Sequence, residues 1–117
     1  MADMSLNIHR RPQGKVEIID ISGKLTLGDG TIGLREAVLK TIAGGSDALL
    51  NLSGVSYIDS AGMGQLVDCY SQATAAGLKV KLLNPHKRVD SLLHITKLNS
   101  TFEIFDDEAI ALASFAN

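Results

Sequence analysis

The chain has 117 residues, 45% of them hydrophobic, which suits one domain spanning residues 1–117 with a sizeable core. Its 11 basic and 13 acidic side chains give a net charge of -2, and with no Trp, three Phe and two Tyr it lacks the features of a nucleic-acid-binding surface. No apolar run approaches the roughly 20 residues of a membrane span, residues 1–9 lack the pattern of a signal peptide, and the single Cys69 cannot form an internal disulfide, so we expect a cytoplasmic protein without nucleic-acid or membrane partners.

The first 21 residues predict a pair of antiparallel strands. Residues 6–10 alternate between apolar and polar side chains, and residues 16–21 are rich in Val and Ile. Pro12-Gln13-Gly14 between them is a turn signal, so the two strands are close enough to pair as a hairpin.

Helices and strands are then expected to alternate after a glycine-rich loop, Gly28-Asp29-Gly30. The further elements expected are a helix that ends at Gly44-Gly45, a strand at Ala48–Leu52, a helix at Ala61–Ala76, a strand at 80–83, a helix at Lys87–His94, a strand at Phe102–Phe105 and a helix at Ala109–Phe115. The order β-β-α-β-α-β-α-β-α predicts an α/β domain, a mixed sheet with helices packed on it.

The most informative stretch runs from Asn51 to Gly64. A strand interrupted at Gly54 leads to Asp59-Ser60, and a helix with apolar residues at helical spacing follows at once. Asp and Ser are favoured at helix N-caps, and spacing alone favours a cap with no further role. A hydroxyl at such a position is exposed beside backbone N–H groups that no helical carbonyl satisfies, so a phosphate there would be tolerated.

This stretch resembles the signature of anti-sigma-factor antagonists, the bacterial branch of the STAS domain family. The resemblance lies in the strand and in the run Asp59-Ser60-Ala61-Gly62-Met63-Gly64. The similarity extends from about Leu6 to Ala113, and STAS domains have the same order of elements. In that family the matching serine is phosphorylated by a partner that is both a serine kinase and an anti-sigma factor. The resemblance therefore implies phosphorylation at Ser60, a binding role without enzymatic activity or cofactor, and a phosphatase as a further partner.

The resemblance also indicates where the partner would bind. Family members often have an acidic residue after a Gly-x-Leu that matches residues 23–25; here that residue is Thr26, and Asp29 follows three positions later. Ala61 replaces a frequent second serine. The predicted partner-binding residues are Asp59, Ser60, Ala61, Gly62, Met63, Gly64, Gln65, Asp68, Thr26 and Asp29.

Other functions have less support in the sequence. A serine hydrolase would need a histidine base beside Ser60, but His9, His86 and His94 are expected to face solvent, and no Gly-x-Ser-x-Gly motif is present. The glycine-rich loops match no nucleotide-binding pattern, yet some STAS domains are reported to bind nucleotides. A nucleotide or small-ligand module, or a scaffold subunit of a signalling complex, is therefore the alternative. One Cys and three scattered His give no metal-ligand pair at a recognised spacing.

Overall fold

The computed structural model describes residues 6–116, which form a five-stranded mixed sheet with helices packed on it. The elements are β1 (Leu6–Gln13), β2 (Val16–Leu25), α1 (Asp29–Ala43), β3 (Asp47–Ile58), α2 (Ser60–Ala75), β4 (Val80–Leu83), α3 (Lys87–Ile95), a short 3-10 turn (Leu98–Ser100), β5 (Ile104–Phe105) and α4 (Glu108–Ser114). The strands lie side by side in sequence order; β1 is antiparallel to β2, and the other neighbours are parallel. The predicted fold class and order of elements are confirmed.

Alternating side chains separate the two faces of the sheet. On β2, Ile19 and Ile21 belong to the main core, together with residues of α1, α2 and α3. Val16 and Ile18 belong to a smaller cluster on the other face, beneath α4. Three helices therefore cover one face, and the short α4 covers part of the other.

Polar contacts also attach α4 to the sheet. Lys81 is only 5% exposed, and its Nζ donates to the backbone oxygen and the hydroxyl of Ser114, at 3.1 and 2.9 Å. Arg11 on β1 donates to Asp20, at 2.6 Å, and to Glu108 at the start of α4, at 2.8 Å. The buried ammonium group of Lys81 is thus hydrogen-bonded, and Oε2 of Glu103, 3.3 Å from Nζ, supplies the opposite charge that a buried charge needs.

The predicted break at Gly54 is wrong. β3 continues to Ile58 and β2 continues to Leu25, because the two strands remain paired through two register shifts. Gly54 is needed for this close pairing, since a Cβ there would lie 2.7 Å from the Cβ of Ser22. β4 pairs with β3 only as far as Asn51, so the second half of β3 extends beyond β4 toward the start of α2.

β1 continues through Pro12 and Gln13, which pair with β2, so the turn predicted at Pro12-Gln13-Gly14 lies at residues 14–15. Two other elements also differ in extent from those predicted. α1 already begins at Asp29, and Gly30 lies in its first turn, where a Cβ would lie 2.8 Å from the carbonyl oxygen of Lys24. Phe102 lies outside the last strand, in a bend where it is buried and makes an edge-to-face contact with Tyr70, with the ring centroids 5.3 Å apart. In both cases packing against a distant element decides the local structure.

Candidate functional site

The end of β3 delivers Asp59 and Ser60 to the start of α2. Asp59 is the N-cap residue, with extended backbone dihedrals, and its Oδ1 accepts a hydrogen bond from the backbone N–H of Gly62 at 2.8 Å. Ser60 is the first helical residue. Both residues therefore lie at the start of a helix, as the sequence predicted.

The second carboxylate oxygen of Asp59 has a partner that the sequence did not reveal. Oδ2 accepts a hydrogen bond from the backbone N–H of Leu27, at 3.1 Å, in the loop between β2 and α1. The hydrogen bonds from Gly62 and Leu27 hold the pKa of the Asp59 carboxyl below its usual range. Asp59 thus remains ionised and joins two segments that are 32 residues apart in sequence.

The hydroxyl of Ser60 is unengaged. The side chain is exposed, and it has no hydrogen-bond partner among residues 6–116. A serine at a helix start often uses its hydroxyl to cap the helix, but here Asp59 does so instead. The Ser60 oxygen is consequently free to react with, or bind, a group that approaches from solvent.

The two glycines of the motif have different environments. Gly62 is buried, and a Cβ there would overlap the carbonyl oxygen of Leu25 and lie 2.8 Å from Cγ1 of Ile58. Gly64 is exposed, and an added Cβ would meet no other part of the chain within 4 Å. Gly62 therefore lets α2 approach the end of β2, and Gly64 faces open space on the surface.

Four other predicted partner-binding residues differ in how far they are buried. Ala61 is half-buried, and Met63 is buried in the main core. Thr26 is half-buried in the loop that Asp59 holds, and Asp29 is exposed at the first position of α1. The structure therefore brings the loop at 26–28 together with the start of α2, and Met63 contributes packing more than surface.

Gln65 and Asp68 already have partners within the chain. Both are half-buried, and Nε2 of Gln65 donates to Oδ2 of Asp68 at 3.1 Å. The same carboxylate oxygen lies 3.7 Å from Nε of Arg35 on α1. These two side chains, predicted to bind a partner, border the contact of α2 with α1, so a partner there would have to share or displace existing contacts.

Exposed apolar side chains flank the site, and sequence reasoning missed them. Leu27 is 79% exposed in the loop that Asp59 holds, and Tyr57 is 48% exposed on β3, two residues before Asp59. Ile32 is also exposed, in the first turns of α1. A leucine between Thr26 and Gly28, in a loop too short to fold back on itself, was the one sequence signal that could have indicated such a surface.

The three histidines are exposed, as predicted, and none of them contacts Ser60. His9 lies near Asp20, with Nδ1 3.7 Å from its Oδ2, and His86 caps α3 by accepting from the N–H of Arg88 at 3.4 Å. Nδ1 of His94 lies 2.8 Å from the backbone oxygen of Asp90. Within residues 6–116 no imidazole is placed to act as a base toward the Ser60 hydroxyl.

Neither Cys69 nor a cluster of metal-ligating side chains gives a second site within residues 6–116. Cys69 is buried in α2, and burial raises the pKa of its thiol to about 11, so the thiol is poorly reactive. No group of three or more His, Cys, Asp or Glu side chains within residues 6–116 is arranged to hold a metal ion. None of the helices in this part of the chain is long and apolar enough to cross a membrane.

Comparisons with known proteins find similarity in both sequence and fold. The sequence is 28% identical over 101 residues to the anti-sigma-B factor antagonist of Bacillus subtilis, covering 86% of this chain and 92% of that protein. Its fold is similar to that of an anti-sigma factor antagonist from Mycobacterium paratuberculosis (TM-score 0.81, 20% identity, 99% of this chain and 98% of the other). It is also similar to the phosphorylated form of SpoIIAA, a Bacillus cell fate determinant (TM-score 0.71, 18% identity, 92% and 98%).

The sequence model of the STAS domain matches residues 8–111, which include all five strands in part or whole and both segments joined by Asp59. A match over this much of the sequence shows that the chain belongs to the STAS domain family.

Proposed function

We propose that this protein is a cytoplasmic anti-sigma-factor antagonist that binds a serine-kinase anti-sigma factor and is released when that partner phosphorylates Ser60. The observation that best supports this is the exposed Ser60 hydroxyl, which has no hydrogen-bond partner within residues 6–116 and lies at the start of α2. The kinship with anti-sigma-factor antagonists agrees with this role.

The phosphoryl transfer would need little from this chain beyond the positioned hydroxyl. Oγ of Ser60 would attack the γ-phosphorus of ATP held by the partner, forming the Oγ–P bond while the bond to the departing ADP breaks. The hydroxyl proton would pass to a base on the partner, because the histidines of this chain contact other groups. Asp59 is a weak base here, since its oxygens accept two N–H groups and its pKa is lowered.

The phosphate would act by its charge. A phosphoserine adds roughly -1.5 to -2 charges at neutral pH, and a closely packed interface would lose affinity through repulsion and desolvation. A hundredfold loss corresponds to about 2.7 kcal/mol. The fold would persist, because a helix N-terminus favours negative charge. A phosphatase would return the protein to its binding state.

The direct experiment is phosphorylation by a serine-kinase anti-sigma factor from the same organism, with ATP and magnesium. We expect one phosphate per chain, located on Ser60 by fragmentation mass spectrometry, and none on Ser60→Ala. Ser53→Ala is the matched control, because Ser53 is an exposed serine on β3 and its replacement should leave the transfer unchanged. Phosphate on Ser53 or Ser56 instead would contradict the assignment.

The alternative functions predict different results. A nucleotide-binding module would show saturable binding in a calorimetric titration without any kinase, and a scaffold subunit would bind its partner regardless of phosphorylation. A hydrolase would turn over esters or nucleotides in a reaction abolished by Ser60→Ala. We expect neither nucleotide binding nor turnover above background.

A further inference from the structure

Asp59 links the proposed phosphorylation site to a second surface segment. Its Oδ1 accepts from the N–H of Gly62 in α2, and its Oδ2 accepts from the N–H of Leu27 in the loop between β2 and α1. The backbone N–H of Asp59 also donates to the carbonyl oxygen of Leu25, at 3.3 Å. Asp59, the residue before Ser60, is thus hydrogen-bonded to α2 on one side and to the end of β2 and the following loop on the other.

The Leu27 loop has few other attachments at its centre. The N–H of Thr31 donates to the oxygen of Thr26 at 3.1 Å, and the hydroxyl of Thr31 contacts the N–H and oxygen of Gly28 at 3.3 and 3.0 Å. These contacts fix the loop's two ends. The backbone of Leu27 itself is held by Asp59, and its side chain is 79% exposed.

From this arrangement we propose that Asp59 is a positioning residue, which transmits the charge on residue 60 to Leu27 and its loop. The proposal rests on Ser60 being the modified residue. A phosphate on Ser60 would repel the adjacent carboxylate and compete with it for the N–H groups at the start of α2. Asp59 would then shift, and the hydrogen bond to the N–H of Leu27 would be lost or lengthened.

Such coupling would let one phosphate change the binding surface in two places. It would add charge at the start of α2, and it would release an exposed leucine beside it. Apolar side chains held in a fixed position contribute to the centre of protein interfaces, and freeing one raises the entropy cost of binding. Leu27 is therefore expected to belong to the surface that the partner recognises, with its geometry controlled through Asp59.

The test needs no kinase. Phosphoserine is placed at position 60 by genetic-code expansion, and hydrogen exchange of individual backbone amides is measured by NMR. We expect the Leu27 amide to exchange about fivefold faster or more than in the unmodified protein, because local opening becomes easier. The Ile110 amide is an internal control, because it donates to Asp107 at the start of α4 at 2.9 Å, far from the phosphate in sequence. An unchanged Leu27 amide would overturn the proposal.

Asp59→Asn separates the positioning role from the capping role. Its side-chain oxygen can still accept from Gly62, but the amide nitrogen that replaces the second oxygen cannot accept from Leu27. We expect faster Leu27 exchange without any phosphate, and no further acceleration when phosphoserine is added. Asp107→Asn is the matched control: it is the same substitution at the N-cap of α4, and it should leave the Leu27 amide and its response to phosphoserine unchanged.

Asp59→Ala provides a second check, because an asparagine can turn its amide either way. This variant lacks both acceptors and has no amide group to turn. The effect of phosphoserine on Leu27 exchange should therefore disappear. If phosphoserine still accelerates Leu27 exchange by the same factor in both Asp59 variants, Asp59 does not transmit the charge. A failure of the proposed function would instead be seen as absent phosphoryl transfer to Ser60, a separate measurement.

Discussion

The starts of α2 and α4 use the same capping chemistry. In each helix an Asp at the N-cap accepts a hydrogen bond from the N–H three residues later, Asp59 from Gly62 at 2.8 Å and Asp107 from Ile110 at 2.9 Å. Their surroundings differ. Asp59 bonds a second segment through Leu27, and the contacts of the Asp107 carboxylate within residues 6–116 are confined to its own helix.

The residue after the cap shows what the difference means. At α2 it is Ser60, with an unengaged hydroxyl; at α4 it is Glu108, whose carboxylate binds Arg11 and attaches the helix to the sheet. The third helical residue is the buried Gly62 in α2 and Ile110, 61% exposed, in α4. A capped helix start is therefore common structure, and it becomes a candidate site when a free reactive group and a link to another segment accompany it.

The largest expected difference concerns the helices themselves. Leu66→Ala in α2 removes a side chain that is fully buried in the main core, and we expect it to lower the free energy of unfolding by about 2–5 kcal/mol. Leu112→Ala in α4 removes a half-buried side chain of the smaller cluster and should cost clearly less. Urea denaturation of both variants measures the two values; equal losses would mean that α4 is as central to the fold as α2.

The next effect concerns the close approach at the start of α2. Gly62→Ala forces a methyl group against the carbonyl of Leu25, and overpacking of this kind costs about 1–3 kcal/mol. Gly64→Ala, two residues on, meets open space and should gain about 0.5–1 kcal/mol from better helix propensity. Thermal melts distinguish the two variants by opposite shifts in Tm. A Gly62→Ala protein as stable as Gly64→Ala would show that this contact relaxes without cost.

A smaller effect is expected when α2 receives an acidic first residue, as α4 has. Ser60→Asp places a carboxylate at a helix N-terminus, which usually stabilises by about 0.3–1 kcal/mol, and repulsion from Asp59 should cancel part of that gain. The melt should therefore stay close to wild type. Affinity for the kinase partner, measured by calorimetry, should fall tenfold or more, about 1.4 kcal/mol. Binding like wild type, or loss of binding only through unfolding, would contradict a switch based on charge.

The smallest effect concerns how the stability of the fold changes in acid, through the carboxylate of Asp20, which binds Arg11. Hydrogen bonds from Arg11, aided by Asn51, hold the pKa of Asp20 below its ordinary value of 3.8. A carboxyl with a lowered folded-state pKa stabilises the fold above the unfolded value, and this contribution is lost as pH falls through the lower folded value. Asp20→Asn should therefore be less stable than wild type near pH 7, with the difference shrinking below about pH 4. Urea midpoints measured across this range test it; a constant difference would mean that Asp20 acts without its charge.

The sequence predicted those features of the molecule that depend on local patterns. Apolar spacing gave the order of elements, and the identity of Asp59 and Ser60 gave a helix start after β3. The hydrogen bond from Leu27 to Asp59 was not predictable in this way, because it joins residues that approach only after β2 and β3 have paired. Gly54 was misread for the same reason, since its role depends on Ser22 of the neighbouring strand.

The buried state of Cys69 has a practical consequence for measuring binding. The chain has no other cysteine, and a thiol with a pKa raised to about 11 hardly reacts with maleimide dyes near neutral pH. A new cysteine at Gln72, an exposed residue of α2 outside the predicted partner-binding residues, would be accessible to such dyes. A fluorophore would then attach at a single position, on the same helix as Ser60, without replacement of the native cysteine. Fluorescence anisotropy could follow partner docking and release in real time on an otherwise unaltered protein.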